Sequence, residues 1–113
     1  MTLMREFPLQ YVLLREYVDT IYAPSSILEE FGNEDVFVHL KDGRALGFTV
    51  FALVNIQQLM NQDALDVFVS PGMLIVISVT WEAIFSAIEE TFACGLIVFS
   101  SSNKSKVTGY SPL

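Results

Sequence analysis

The sequence predicts an α+β domain in which a mainly antiparallel sheet of about five to six strands carries two helices packed on one face. The 113 residues fit one domain, and 52% of them are hydrophobic against 17% charged, so one core can form and the chain is not intrinsically disordered. Candidate hairpins are interrupted by two segments with helical spacing. We expect a single domain over residues 1–99 and a flexible C-terminal tail over residues 100–113, which are rich in Ser, Asn, Lys, Gly and Pro.

The first element is ambiguous. Residues 10–22 fit both a helical stripe and a buried strand, and their β-branched and aromatic content favours a strand. After a break, Ser26 is in position to cap a short helix over residues 27–31. Its first turn holds Glu29 and Glu30, where the helix dipole favours carboxylates.

A β-hairpin gives the strongest local signal. Residues 36–40 and 45–51 flank Asp42 and Gly43, a pair that favours a two-residue type I′ turn. Both faces of this hairpin are largely apolar, which predicts a sheet covered on both sides or an interface. The expected register pairs Leu40 with Ala45, Val38 with Gly47, Phe37 with Phe48 and His39 with Leu46.

Two later segments have helical spacing. The first covers residues 53–62, and the second covers residues 81–93 with Thr80 as its cap and Gly95 as its left-handed stop. The second helix is expected to bury Ile84, Phe85, Ile88 and Phe92 and to leave Glu82, Glu89 and Glu90 in water.

Strand-like residues surround the second helix. Residues 65–69 and 73–79, joined by a Ser-Pro-Gly turn at 70–72, predict a second antiparallel hairpin. Residues 96–99 predict a final strand.

The charge distribution excludes one class of partner and suggests another. The net charge is −7, and no Lys or Arg occurs between Ala45 and Asn103, so the chain has no basic stripe for nucleic acid or anionic membranes. The N-terminal third is the most acidic part. This charge serves either solubility or a face that attracts a basic partner. The candidate partner-binding residues are Glu29, Glu30, Glu34 and Asp35.

The residues that most often act in catalysis lack the neighbouring groups that catalysis requires. Cys94 is the single cysteine and lies at the expected end of a helix, where the dipole disfavours a thiolate. His39 is the single histidine and lies within a predicted strand, so we expect a packed or interface residue. No phosphate-binding glycine motif or metal-ligand spacing is present. We therefore expect no enzyme, no cofactor and no metal.

Neither a membrane span nor a signal peptide is evident. The apolar run at residues 73–77 is far shorter than the roughly 20 residues of a spanning helix. The first residues lack a basic segment followed by an apolar one. With one unpaired cysteine, the expected compartment is the cytoplasm.

Four short sequence motifs occur together between residues 36 and 99 and allow a comparison with known proteins. They read HLKDGR at 39–44, FTVFALVNI at 48–56, VFV at 67–69 and MLIV at 73–76, followed by a Thr-capped helix. This combination resembles a group of small bacterial α+β proteins, many of which serve as immunity proteins against toxins. The resemblance implies a protein that binds and neutralises a toxin, and it assigns no functional residue.

Two functions from different classes are consistent with these observations. The first is a small acidic cytoplasmic inhibitor of the immunity type that blocks a basic toxin or nuclease. The alternative is a structural homo-oligomer with no exogenous partner, suggested by the mean hydropathy of +0.48 and the two-sided apolar hairpin. The two are compatible, because an immunity protein can also form a homodimer.

Overall fold

One sheet, with its strands in chain order, organises the molecule. The computed structural model describes the backbone of residues 2–4 and the whole of residues 6–97. The elements are β1 (Thr2–Met4), α1 (Val12–Tyr17), β2 (Val18–Ala23), β3 (Asn33–Leu40), β4 (Ala45–Ala52), α2 (Leu53–Gln62), β5 (Met73–Val76) and α3 (Trp81–Ala93).

The α+β class is confirmed, but the sheet is mixed. Strands β1 to β4 pair with their neighbours in antiparallel fashion, whereas β5 runs parallel to β4. A parallel pair needs a crossover connection, and α2 with residues 63–72 supplies it. The predicted second antiparallel hairpin is therefore wrong, because residues 65–69 form no strand. The expected pair of helices also becomes three in the described residues.

The main core lies between one face of the sheet and the helices α1 and α3. Alternate residues of β3 point into it, which gives the period of two that a strand requires. Helix α3 contributes an aliphatic and aromatic stripe. The fully buried side chains include Leu14, Ile21, Val36, Val38, Val50, Ile84 and Ile88.

The predicted hairpin register is wrong by one residue. The amide of Leu40 donates to the carbonyl of Arg44, and Gly43, at φ +97°, donates to the carbonyl of Leu40. The connection is therefore a three-residue loop that ends in a left-handed glycine. The observed pairs are His39 with Ala45, Val38 with Leu46, and Phe37 with Gly47.

Packing explains this correction. A slip of one residue turns every side chain of a strand to the other face. The observed register places Val36, Val38, Val50 and the partly buried Leu46 on the covered face together. The opposite face, which we call the second face, then brings Phe37 across the sheet from a glycine.

Aromatic side chains occupy the second face. The ring of Phe37 packs on Tyr22 at 5.5 Å between centroids, and His39 stacks on Tyr22 at 5.7 Å. Towards the end of β4, Phe51 meets Phe68 edge to face at 5.2 Å. The segment after α2 therefore covers one end of the second face.

The ambiguous first element contains both structures. Within residues 10–22, helix α1 is followed directly by strand β2, so the preference for a strand is only partly right. Both carboxylate oxygens of Glu89 accept backbone hydrogen bonds at 3.0 Å, one from Leu13 and one from Leu14. Glu89 therefore caps α1 from a distant helix, and the expectation that it stays in water is wrong.

Helices α2 and α3 begin and end as predicted. The hydroxyl oxygen of Thr80 accepts a hydrogen bond from the amide of Ala83 at 3.1 Å, and Gly95 follows α3 with φ +82°. By contrast, residues 27–31 form no helix. The expected final strand is absent at Leu96 and Ile97, whereas residues 98–99 and the predicted tail lie outside the described residues.

Candidate functional site

The segment between β2 and β3 presents carboxylates and apolar side chains together. We call residues 27–32 the acidic loop. Glu29 and Glu30 are exposed, and they lie between Ile27, with 82% of its surface exposed, and Phe31, with 57% exposed. Carboxylates that can attract a partner thus lie beside apolar side chains that can anchor it, which makes this loop a candidate interaction surface.

Backbone hydrogen bonds fix the acidic loop to three parts of the fold. The carbonyl of Glu30 accepts from the amide of Val79, at 2.6 Å, just before α3. The carbonyl of Gly32 accepts from the amide of Ala52 at the end of β4. Leu28 is partly buried against the main core. The exposed side chains therefore project from a backbone that is already in place.

Glu34 holds the acidic loop from inside. Its side chain is buried, with 6% exposed, and its carboxylate accepts a hydrogen bond from the amide of Glu29 at 2.8 Å. A second bond, from the amide of Gly32 to the carbonyl of Glu29, closes the turn. Glu34 therefore supports the loop and is buried, whereas the sequence predicted that it contacts a partner.

Asp35 points away from Glu34 because successive side chains of a strand alternate between faces. It lies on the second face, where its carboxylate accepts a hydrogen bond from the hydroxyl of Thr49 at 3.0 Å. Its side chain is exposed. The four predicted acids are therefore divided: Glu29 and Glu30 lie on the acidic loop, Asp35 on the second face, and Glu34 inside.

The described cations lie at the opposite end of β3. Lys41 and Arg44 belong to the β3–β4 loop, and the ammonium of Lys41 donates to the carbonyl of Arg15, which places Arg15 there too. The eight residues of β3 span roughly 25 Å, about three Debye lengths at physiological salt. Cations of the described chain therefore leave the field of Glu29 and Glu30 uncompensated.

The remaining candidate residues show no arrangement typical of catalysis. His39 stacks on Tyr22, and Cys94 is exposed, with its thiol donating to the carbonyl of Thr91 at 3.9 Å. Among residues 6–97, no group of three or more His, Cys, Asp or Glu side chains is placed to hold a metal ion. None of the described helices is long and apolar enough to cross a membrane.

Sequence reasoning selected Glu29 and Glu30 for their charge but did not select their exposed apolar neighbours, Ile27 and Phe31. Ile27 and Phe31 were assigned to a short helix, whose apolar side would have turned towards the core. Gly32 and Asn33 follow Phe31 directly and fit the end of a short helix as well as a turn, so the local sequence does not separate the two. Comparisons with protein-family models, curated proteins and solved structures give no match to this chain.

Proposed function

We propose that this chain is a small acidic protein-binding module of the immunity or inhibitor type, which neutralises a basic toxin or nuclease in the cytoplasm by binding it. One observation carries the proposal: Glu29 and Glu30 project from a fixed loop, between exposed Ile27 and Phe31, with the described cations at the far end of β3. The resemblance to immunity-type proteins remains a prediction, and the proposal depends on this loop.

The carboxylates act first, during encounter. An uncompensated negative patch attracts a surface rich in Lys and Arg, and it raises the association rate at low ionic strength. The net charge of −7 adds a long-range contribution of the same sign. Both contributions are screened by salt, since the Debye length falls as ionic strength rises.

The apolar side chains act after encounter. Phe31 and Ile27 lose their water when a partner covers the loop, and aromatic anchors of this kind commonly account for most of the binding energy. The carboxylate of Glu34, which accepts a hydrogen bond, and the amides of Val79 and Ala52, which donate, hold the backbone before binding. Less conformational entropy is then lost on association, so the small surface binds more tightly than a mobile loop would.

Charge reversal with a matched control tests the proposal. The protein, its Glu29→Lys/Glu30→Lys variant and an Asp63→Lys/Asp66→Lys control are used for affinity capture from a lysate of the source organism at low salt. Asp63 and Asp66 are exposed and lie after α2, so the control changes the net charge equally and leaves the acidic loop intact. We expect one basic protein to be captured by the protein and by the control and released by high salt.

The loop variant is expected to lose that basic protein. Equal capture by both variants would assign the attraction to net charge alone and contradict the role of the acidic loop. Recovery of the bait alone would contradict the inhibitor function. A Phe31→Ala variant, which leaves the charge unchanged, is expected to weaken binding about 30-fold if Phe31 is an anchor.

A further inference from the structure

Strand β5 is four residues long and forms one edge of the sheet in the described part of the chain. Among residues 2–4 and 6–97, only β4 pairs with it, and its other side is open. Residues 73–77 are all apolar, without the lysine, proline or bulge that natural proteins place on exposed edges. Ile75 and Ile77 expose 52% and 77% of their surfaces. This edge is therefore suited to pairing with another strand.

The register with β4 shows which backbone groups face outward. Met73 lies opposite Thr49, and the amide of Thr49 donates to the carbonyl of Gly72. In a parallel pair, alternate residues of a strand bond to the same neighbour. Gly72, Leu74 and Val76 therefore face β4, and the amide and carbonyl groups of Met73 and Ile75 face the open side.

An apolar groove of about 480 Å³ lies along this edge, between β5 and α3. Its walls combine exposed aliphatic side chains with small residues of the helix, which allow another backbone to approach closely. Leu53, Ile75 and Ile77 supply the aliphatic side chains, and Ala83, Ser86 and Ala87 are the small residues of α3.

The uncharged lining favours an apolar strand without charged side chains as the occupant of this edge. The lining contains no charged residue, whereas the whole chain carries a net charge of −7. Two copies of so acidic a protein repel each other wherever their carboxylates meet, and this edge lets them meet on uncharged surfaces. A basic side chain placed in this groove would lose its hydration without gaining a charged partner, whereas residues 73–77 of a second copy bring only apolar side chains. The edge therefore fits a second copy of this chain better than it fits the partner of the acidic loop.

We propose that two copies pair their β5 strands in antiparallel fashion about a two-fold axis at Ile75. Met73 of each copy then lies opposite Ile77 of the other, and the outward backbone groups of Ile75 bond to their counterparts. The two sheets become one continuous sheet, and each groove receives aliphatic side chains from the other copy. This interface does not depend on the proposed function, because the acidic loop belongs to neither strand.

Light scattering over a range of concentrations tests the dimer. We expect a mass of twice 12.6 kDa that falls towards one copy on dilution. The Ile75→Lys and Ile77→Lys variants are expected to be monomeric with an unchanged circular dichroism spectrum. A Val69→Lys control, at a site with 81% of its surface exposed but outside the groove, is expected to remain dimeric. A monomeric parent protein, or a dimer that persists in both edge variants, would overturn the proposal.

Salt and cross-linking distinguish this pairing from other contacts. Because the interface is uncharged and the two copies repel each other, added salt is expected to strengthen the dimer, whereas it weakens binding of a basic partner. In a Cys94→Ser background, Ile75→Cys is expected to form an intermolecular disulfide, since opposed residues of a bonded antiparallel pair have Cα atoms about 5.5 Å apart. Val69→Cys in the same background is expected to stay reduced. A dimer weakened by salt, or one without the disulfide at residue 75, would contradict edge pairing.

Discussion

At the end of β3, the charged side chains of the β3–β4 loop form an ion pair and a hydrogen bond within the protein. Asp42 and Arg44 form an ion pair at 2.9 Å, and Lys41 donates to a backbone carbonyl. At the start of the same strand, the acidic loop directs Glu29 and Glu30 into solvent while the buried Glu34 holds the backbone beneath them. One strand thus joins a loop whose charges are paired to a loop whose two carboxylates, Glu29 and Glu30, are exposed.

This difference separates carboxylates that stabilise the fold from carboxylates that are available for binding. Burial and hydrogen-bond partners make the distinction, since all of these side chains are acidic. Glu34 has 6% of its surface exposed and a backbone partner, whereas the exposed carboxylates of Glu29 and Glu30 lie in water. Substitutions at the two ends of β3 should therefore have graded effects on stability, and the following predictions are ordered from the largest effect to the smallest.

The Glu34→Ala substitution is expected to lower the free energy of unfolding by about 2 kcal/mol, because it leaves the amide of Glu29 without its partner and opens space beneath the loop. Urea denaturation followed by circular dichroism measures this change. The exposed neighbour Glu30→Ala serves as the control, and its expected effect is below about 0.5 kcal/mol. Equal effects of the two substitutions would contradict the structural role of Glu34.

At the other end of β3, Gly43→Ala is expected to destabilise the protein by about 1 kcal/mol, because an alanine Cβ is strained in the left-handed conformation. Gly43 has φ +97°, and an added Cβ would have no other atom within 4 Å, so the effect reports backbone strain alone. Gly43→Asn is the matched control, since asparagine tolerates this conformation better than alanine does. Thermal unfolding of both variants checks the order, and an alanine variant as stable as the parent would be inconsistent with this loop.

The Asp42→Ala substitution is expected to cost about 0.5 kcal/mol, the usual range for a surface ion pair, since the Arg44 side chain is 44% exposed although that of Asp42 is only 12% exposed. Asp42 also accepts a hydrogen bond from the amide of Arg44 at 3.1 Å, so a small part of the loss should survive high salt. Urea denaturation at low and high ionic strength separates the two contributions. A loss that is large and independent of salt would mean that the ion pair is not the main interaction of Asp42.

The Glu29→Gln/Glu30→Gln double substitution is expected to leave stability unchanged within about 0.5 kcal/mol, because both side chains are exposed. Chemical denaturation checks this expectation. A loss comparable to that of Glu34→Ala would show that these carboxylates stabilise the fold and are not reserved for a partner.

Much of the fold follows from local patterns, and the errors arise where distant residues decide. Helix α3 was predictable because one cap, one stop and one apolar stripe agree along 13 residues. The register of the β3–β4 hairpin was not, since Asp42-Gly43 fits both a two-residue and a three-residue loop. The register is decided by packing against α1 and α3, which requires particular residues of β4 to face these helices.

The candidate site was predictable in the same partial way. Charge patterning found Glu29 and Glu30, but it treated Glu34 and Glu89 as equivalent surface acids. Each of these two carboxylates accepts backbone hydrogen bonds, and for Glu89 the donors are more than seventy residues away in the sequence. A sequence read locally has no signal for such a contact.

The most direct test of the central claim is the association rate with the captured basic protein, measured by stopped flow at increasing ionic strength. We expect Glu29→Gln/Glu30→Gln to slow association about tenfold at low salt and to flatten its salt dependence. The Asp63→Asn/Asp66→Asn control, with the same net charge, should keep most of the rate of the parent protein. Identical rates and salt slopes for the two variants would contradict the claim that the acidic loop directs binding.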